Sequence, residues 1–151
     1  MNNHSSKPSQ ALLSPTFTAK STSFLLAQVG NQSLNLFSHY LLGLDIKIHH
    51  FQILALAEQE TMTQAQLAQQ LGMSNAPVVQ YLHYLEQRGL VKRTRSLNVR
   101  HANDIVLTTK GREILAKALT FARQAEAEIL APLSLDEQIQ LKNLMYRLSF
   151  H

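Results

Sequence analysis

The 151-residue sequence contains no cysteine, no tryptophan and no long hydrophobic run. Without cysteine the chain forms no disulfide, no thiolate metal site and no thiol redox switch. The longest apolar stretches, such as 24–27 and 53–57, fall far short of the ~20 residues that a membrane-spanning helix needs. The first sixteen residues are mostly polar and lack the apolar core of a secretory signal, so we expect a cytoplasmic protein.

Charge is unevenly distributed along the chain. The formal net charge is +4, and seven of the fourteen basic residues fall between positions 88 and 112, where Asp104 is the only acid. This window therefore carries +6, and a concentrated basic patch on a near-neutral body indicates a polyanion partner. A merely solvated basic loop is the alternative interpretation. The seven residues are Arg88, Lys92, Arg93, Arg95, Arg100, Lys110 and Arg112.

Hydrophobic residues recur mostly with the 3.6-residue period of helices. A disordered arm is expected over 1–20, where Ser, Thr and Pro prevail, and one domain over 21–150. The pattern predicts six helices. The first is capped by Ser21 or Ser23 and ends at 42, and the others span 47–58, 64–71, 75–88, 109–130 and 135–148. It predicts a β-hairpin of strands 90–95 and 104–107, joined by the polar loop 96–103. The predicted fold is mainly α with a small β-hairpin wing, a winged helix-turn-helix.

Residues at the predicted helix ends support these boundaries. Thr63 and Ser74 are good N-caps, and Gly72 ends the short helix before the turn. Thr108 caps the fifth helix, and Ser134 with Glu137 forms a capping box.

The first and the last two predicted helices each carry an apolar face. One small winged domain cannot cover all three faces, so we expect a second subunit to bury them. A monomeric helical bundle is the alternative.

The segment from His49 to Gly111 resembles the MarR family of bacterial transcription regulators. The matching residues are Phe51-Gln52-Ile53-Leu54, Thr63 with Gln66-Leu67-Ala68 and Leu71, Leu85-Glu86 with Arg88-Gly89-Leu90-Val91 and Arg93, and Leu107-Thr108 with Gly111. The resemblance covers about residues 22–150. It implies a homodimer that pairs through helices in 21–46 and 113–150, with a winged helix-turn-helix over 47–112. It also implies binding to pseudo-palindromic promoter DNA and, in many relatives, release by a small phenolic ligand.

The wing departs from the family pattern. Relatives usually carry an Asp-x-Arg triplet whose Arg enters the minor groove, but this chain has Val99-Arg100-His101 there. The orienting carboxylate is missing, so we expect either that Arg100 takes over the minor-groove contact or that the wing binds phosphate alone. The cysteine of the peroxide-sensing relatives is also absent.

The fourth helix is the expected recognition helix. Val78, Leu82 and Leu85 recur at core spacing, which leaves the opposite face for base edges. Amide side chains there suit adenine, and small apolar ones suit the thymine methyl. Arg93 and Arg95 share a strand face with Val91, where an ion pair can engage one of them. The predicted DNA-binding residues are Thr63, Gln64, Asn75, Ala76, Val79, Gln80, His83, Arg93, Arg95, Arg100 and His101.

Other chemistry finds little support in the sequence. Seven histidines show no metal-ligand spacing, and we expect neither a metal nor a cofactor. No nucleophile or phosphate-loop motif is present, so we expect no catalysis. A small aromatic ligand is predicted near His39, Tyr40, His49 and Phe51, although core packing is the alternative for Phe51. The leading hypothesis is a dimeric DNA-binding repressor. The alternative is a dimeric protein-interaction module of the same fold that has lost specific DNA binding.

Overall fold

The computed structural model describes residues 21–149. The predicted arm 1–20 lies outside these residues. The chain divides into two units, one ending at Asn35 and one beginning at Leu36, and the first helix crosses this boundary. Each unit is described by itself.

Six helices and three strands occupy the described residues. In chain order they are α1 (Thr22–Leu42), α2 (Ile48–Gln59), β1 (Met62–Thr63), α3 (Gln64–Gln70), α4 (Asn75–Gln87), β2 (Val91–Arg95), β3 (Asn103–Leu107), α5 (Thr109–Leu130) and α6 (Leu135–Ser149). Each predicted helix and both predicted strands are present. The first helix begins directly after Ser21, one of its two candidate caps, and the other ends differ from the prediction by one residue or less. The mainly α fold with a small β wing is therefore confirmed.

Most helix ends follow the predicted capping chemistry. The Thr63 hydroxyl accepts a hydrogen bond from the Gln66 N–H, and the Gln66 side chain accepts one from the Thr63 N–H. The same reciprocal arrangement joins Ser134 and Glu137. Ser74 departs from the prediction, because it occupies the N-cap position of α4 but its side chain makes no capping hydrogen bond.

The sheet has one strand that the sequence does not predict. Its order is β1-β3-β2, antiparallel throughout, with Met62 opposite Ile105 and Arg93 opposite Ile105 on the other side. From the sequence alone, the residues around Thr61 and Thr63 indicate only a break between helices. Two residues are too few to show strand periodicity, and β1 exists only because β3 offers it a partner.

The core of the unit beginning at Leu36 is apolar and continuous. Val78, Leu82 and Leu85 of α4 are fully buried, as predicted, and so are Ile53 and Leu54 of α2. The other fully buried large side chains are Leu41, Leu67, Leu90 and Ile105. This core fixes α4 against α2 and the sheet, so the opposite face of α4 must point to solvent.

Gly111 permits a close approach at the start of α5. A Cβ atom there would overlap the backbone carbonyl oxygen of Leu90. The Thr108 hydroxyl accepts a hydrogen bond from the Gly111 N–H at 3.0 Å and donates one to the carbonyl of Gly89 at 2.6 Å. These contacts join the wing to α5 and explain the spacing of Thr108 and Gly111.

Two helical segments expose apolar side chains. In residues 21–35 these are Phe24, Leu25, Leu26, Val29 and Leu34. The helix α6 has no buried residue and exposes Leu135, Ile139, Leu144, Met145, Tyr146 and Leu148. No helix in the described part of the chain is long and apolar enough to cross a membrane.

Candidate DNA-binding surface

The solvent face of α4 carries all five residues that the sequence assigned to base recognition. Asn75, Ala76, Val79, Gln80 and His83 are exposed, because Val78, Leu82 and Leu85 hold the other face in the core. Val79 is 42% exposed, which leaves an apolar patch beside the amides. Nε2 of His83 lies 2.9 Å from Nε2 of Gln87, one turn further along the helix.

The second half of α4 is held to the α1–α2 loop by polar contacts. The Tyr84 hydroxyl donates a hydrogen bond to the carbonyl of Asp45 at 2.6 Å. The Arg88 guanidinium donates to the carbonyls of Leu44 and Asp45, and it lies 3.7 Å from the Asp45 carboxylate. Asp45 has a positive φ of 54°, so its backbone turns sharply to present that carbonyl. This loop therefore contributes to fixing the angle of α4.

His50 of α2 also contributes to the contact between α4 and the α1–α2 loop. Its ring is 4% exposed and stacks on Tyr84, with centroids 4.5 Å apart and planes 7° apart. Its Nδ1 accepts a hydrogen bond from the Lys47 N–H at 3.0 Å. Burial, with smaller contributions from the charges of Lys47 and Arg88, lowers the pKa of His50 to about 4. The ring is therefore neutral at pH 7 and is a structural part of this contact.

The predicted phosphate contacts at the start of α3 have internal partners. Thr63 is buried, and its hydroxyl participates in the capping box with Gln66. The Gln64 side chain accepts a hydrogen bond from Arg93 at 3.2 Å. The Thr63 hydroxyl and the Gln64 side-chain oxygen therefore both have hydrogen-bond partners within the fold.

Four of the seven residues in the basic window make internal contacts. Arg88 binds the α1–α2 loop, and Lys110 donates a hydrogen bond to the carbonyl of Arg88 at 2.9 Å. The Nε atom of Arg112 contacts both carboxylate oxygens of Glu58, and Arg93 pairs with Glu86 at 2.8 Å. This last ion pair agrees with the strand alternation of Val91, Arg93 and Arg95, which indicates that one of these arginines can be paired.

Three basic side chains remain available on the wing. Lys92, Arg95 and Arg100 are exposed and have no hydrogen bond or ion pair to any residue from 21 to 149. Arg95 ends β2, and Arg100 lies in the loop between the strands, beside His101. Arg95 and Arg100 therefore place unpaired positive charge at the outer end of the hairpin, whereas Lys92 lies nearer its base.

The four residues predicted near a ligand do not line one cavity. Phe51 packs edge-on against Phe37, and Tyr40 packs on Phe121 while its hydroxyl donates a hydrogen bond to Glu128. His49 lies beside Tyr81, and His39 is exposed. A cleft of about 360 Å³ lies between the α1–α2 loop, α2 and α4; its walls are Leu42, Asp45, Ile46, Lys47, His50, Gln80, Tyr81 and Tyr84.

Several residues of this surface have no signal in the sequence that would single them out. Glu86 precedes Arg93 by seven residues, and Asp45 precedes Arg88 by 43, so neither pair has a local pattern. The near-complete exposure of Leu97 in the wing loop is also not predicted by the sequence. No group of three or more metal-ligating side chains lies together within the part of the chain that the structure describes.

Comparison with known proteins finds similar sequences and structures in the MarR family. A model of the MarR family matches residues 42–100. Wild-type MarR of E. coli has a similar structure, with 23% identity and a TM-score of 0.77, over 85% of this chain and 96% of that chain. A MarR family protein of Mycobacterium tuberculosis in complex with DNA is 25% identical, with a TM-score of 0.74, over 85% and 97%. The same protein in complex with salicylic acid is 26% identical, with a TM-score of 0.71, over 85% and 96%.

Proposed function

We propose that this chain is a winged helix-turn-helix transcription regulator of the MarR family, and that it acts as a homodimeric, sequence-specific repressor in the cytoplasm. The observation that carries this proposal is the joint exposure of one face of α4 and of the unpaired cations Arg95 and Arg100. A helix face of amides and small apolar groups suits base edges in a major groove. Cations on an adjacent hairpin suit the phosphates or the minor groove beside it.

Homodimerisation is supported by the two exposed apolar segments. Residues 24–34 and the helix α6 each present several large apolar side chains to solvent. A second copy of the chain that covers these faces would remove them from water, and it would present two copies of α4 to a pseudo-palindromic site. The recognition helices would then lie about 34 Å apart, one turn of DNA.

A small aromatic ligand is the proposed signal that releases DNA. The complex of the M. tuberculosis relative with salicylic acid supports an aromatic acid as its class. His39, Tyr40, His49 and Phe51 remain the predicted contacts. The cleft against α4 is a second candidate position, because Gln80 belongs both to its wall and to the predicted base-reading face.

The protein-interaction module remains a distinct second candidate. It is favoured by Val99, which stands where the family usually has the orienting carboxylate, and by the internal pairing of four of the seven clustered cations. The exposed and unpaired Arg95 and Arg100 favour DNA instead, since nothing within the described residues engages them.

Gel-shift titration separates the two candidates. The probe is a duplex from the region upstream of the protein's own coding sequence, with a shuffled duplex of equal composition as control. The repressor hypothesis predicts selective retention, strong salt dependence and the mass of a dimer in free solution. Equal weak binding to both duplexes would instead favour the interaction module. Addition of salicylate to the complex tests the release step.

A further inference from the structure

Leu97 is an apolar side chain at the tip of a cationic hairpin. It is 97% exposed, whereas the next most exposed large apolar side chain within residues 21–149 is Leu135 at 78%. Leu97 follows β2 by two positions and belongs to the loop before β3. A single exposed leucine is ordinary on a protein surface. Whether Leu97 has a role in binding therefore depends on the conformation of its loop and on the residues around it.

The loop holds Leu97 outward. The Ser96 side chain is buried, and its oxygen accepts hydrogen bonds from the N–H groups of Asn98 at 3.3 Å and Val99 at 3.1 Å. The Ser96 N–H donates to the carbonyl of Ala102 at 2.9 Å, which closes the loop. The backbone on both sides of Leu97 is therefore fixed, and little conformational entropy is lost if the side chain binds a partner there.

The charges around Leu97 select a polyanion as the partner. Arg95 and Arg100 flank it in the sequence, are exposed and have no partner among the described residues. Asp104 is the only carboxylate between positions 88 and 112, and it is buried. A cationic rim around one apolar side chain matches a nucleic-acid groove, in which phosphates line the edge and deoxyribose forms apolar walls.

We propose that Leu97 enters the minor groove of bound DNA and packs against the deoxyribose walls beside Arg100. This inference rests on the proposed DNA binding and adds a contact that needs no orienting carboxylate. Apolar side chains serve as wedges in several minor-groove binders. Because the contact is apolar, it contributes affinity without releasing counterions.

The test compares Leu97→Ala, Leu97→Ser and Leu97→Met in the full chain on the duplex that the unmodified protein retains. We expect Ala and Ser to weaken binding by about tenfold for a dimer, since part of a leucine side chain is removed from each subunit. Met, which keeps the apolar volume, should restore most of the affinity. The slope of log K against log salt should stay unchanged for all three, whereas Arg100→Ala should make it shallower by about 0.9 for each phosphate that is no longer neutralised.

Hydroxyl-radical footprinting reads the same interaction on the DNA. The unmodified protein should protect minor-groove deoxyriboses at the flanks of the site, and Leu97→Ala should abolish that protection while the centre stays protected. If Leu97→Ala retains full affinity and the flanking footprint, the proposed minor-groove contact of Leu97 is wrong, while the proposed DNA binding stands. If the unmodified protein binds no duplex selectively, both proposals fail. Unchanged circular dichroism confirms that the variants fold.

Discussion

Arg93 and Glu86 join the wing to α4 through an ion pair. The Nε–H of Arg93 donates to Oε1 of Glu86 at 2.8 Å, and a second nitrogen of the same guanidinium donates to Gln64 at the start of α3 at 3.2 Å. One side chain on β2 therefore contacts both helices of the helix-turn-helix. Its charge is already paired, so we expect Arg93 to set the angle between wing and helix rather than to contact phosphate.

Substitution of either member of this pair should give the same DNA-binding defect. We expect Arg93→Ala and Glu86→Gln each to weaken specific binding by about tenfold, with little further weakening in the double variant, because both remove the same ion pair. Stability should change by no more than about 1 kcal/mol, since the pair is partly exposed. Gel-shift titration of the two variants and the double variant measures this. A phosphate-binding Arg93 would give a different result, in which Glu86→Gln leaves affinity unchanged or raises it.

The salt dependence of DNA binding should be determined by the unpaired cations alone. In a dimer, Arg95→Ala and Arg100→Ala should each reduce the slope of log K against log salt by about 2, at about 0.9 for each neutralised phosphate. Arg112→Ala is the matched control, because Arg112 is paired with Glu58 and should leave the slope unchanged. Titrations at several salt concentrations measure all three. Equal slopes for Arg95→Ala and Arg112→Ala would contradict the assignment of Arg95.

Stability should fall at mildly acidic pH because of His50. Its pKa in the folded protein is about 4, below the unperturbed value of 6.5, so the folded state binds fewer protons than the unfolded state between these values. The stabilisation is complete above about pH 6.5, and about 3 kcal/mol of it disappears as the pH falls towards 4.

Thermal unfolding across pH 4 to 7 measures this decrease. The control is His50→Gln, whose amide oxygen can still accept the hydrogen bond from the Lys47 N–H but does not titrate. The variant should lose less stability than the unmodified protein over this range. Identical pH profiles for the two proteins would show that His50 is not the group responsible.

Two helical glycines should respond to alanine in opposite directions. Gly111→Ala should destabilise the fold by about 3 kcal/mol, because its Cβ would overlap the carbonyl oxygen of Leu90 and push α5 away from the wing. Gly30→Ala should raise helix stability by about 0.5 to 1 kcal/mol, since nothing lies within 4 Å of an added Cβ. Chemical denaturation of both variants measures the difference. A neutral Gly111→Ala would contradict the close approach.

Local patterns in the sequence were sufficient to predict the six helices, the two strands of the wing and the exposed face of α4. Apolar residues at positions 78, 82 and 85 require that face to be buried, and a helix of 3.6 residues per turn then exposes Asn75, Val79 and Gln80. Caps such as Thr63 act within three residues of chain, so they too could be predicted.

Long-range partners could not be predicted in the same way. No local sequence pattern predicts that Arg88 binds the loop at Asp45, that His50 stacks on Tyr84, or that Met62 pairs with Ile105. The basic window illustrates the difference. The sequence indicates only that Arg93 or Arg95 can be paired, whereas in the structure internal contacts engage Arg88, Arg93, Lys110 and Arg112.

Periodicity and capping, which act over a few residues, determined the winged helix-turn-helix and the side of α4 that faces solvent. Only the tertiary structure decided which charges remain available, because an ion pair depends on distances between side chains that folding brings together from separate elements. Within the basic window, the outer wing with Arg95, Leu97 and Arg100 is left exposed by the folded chain.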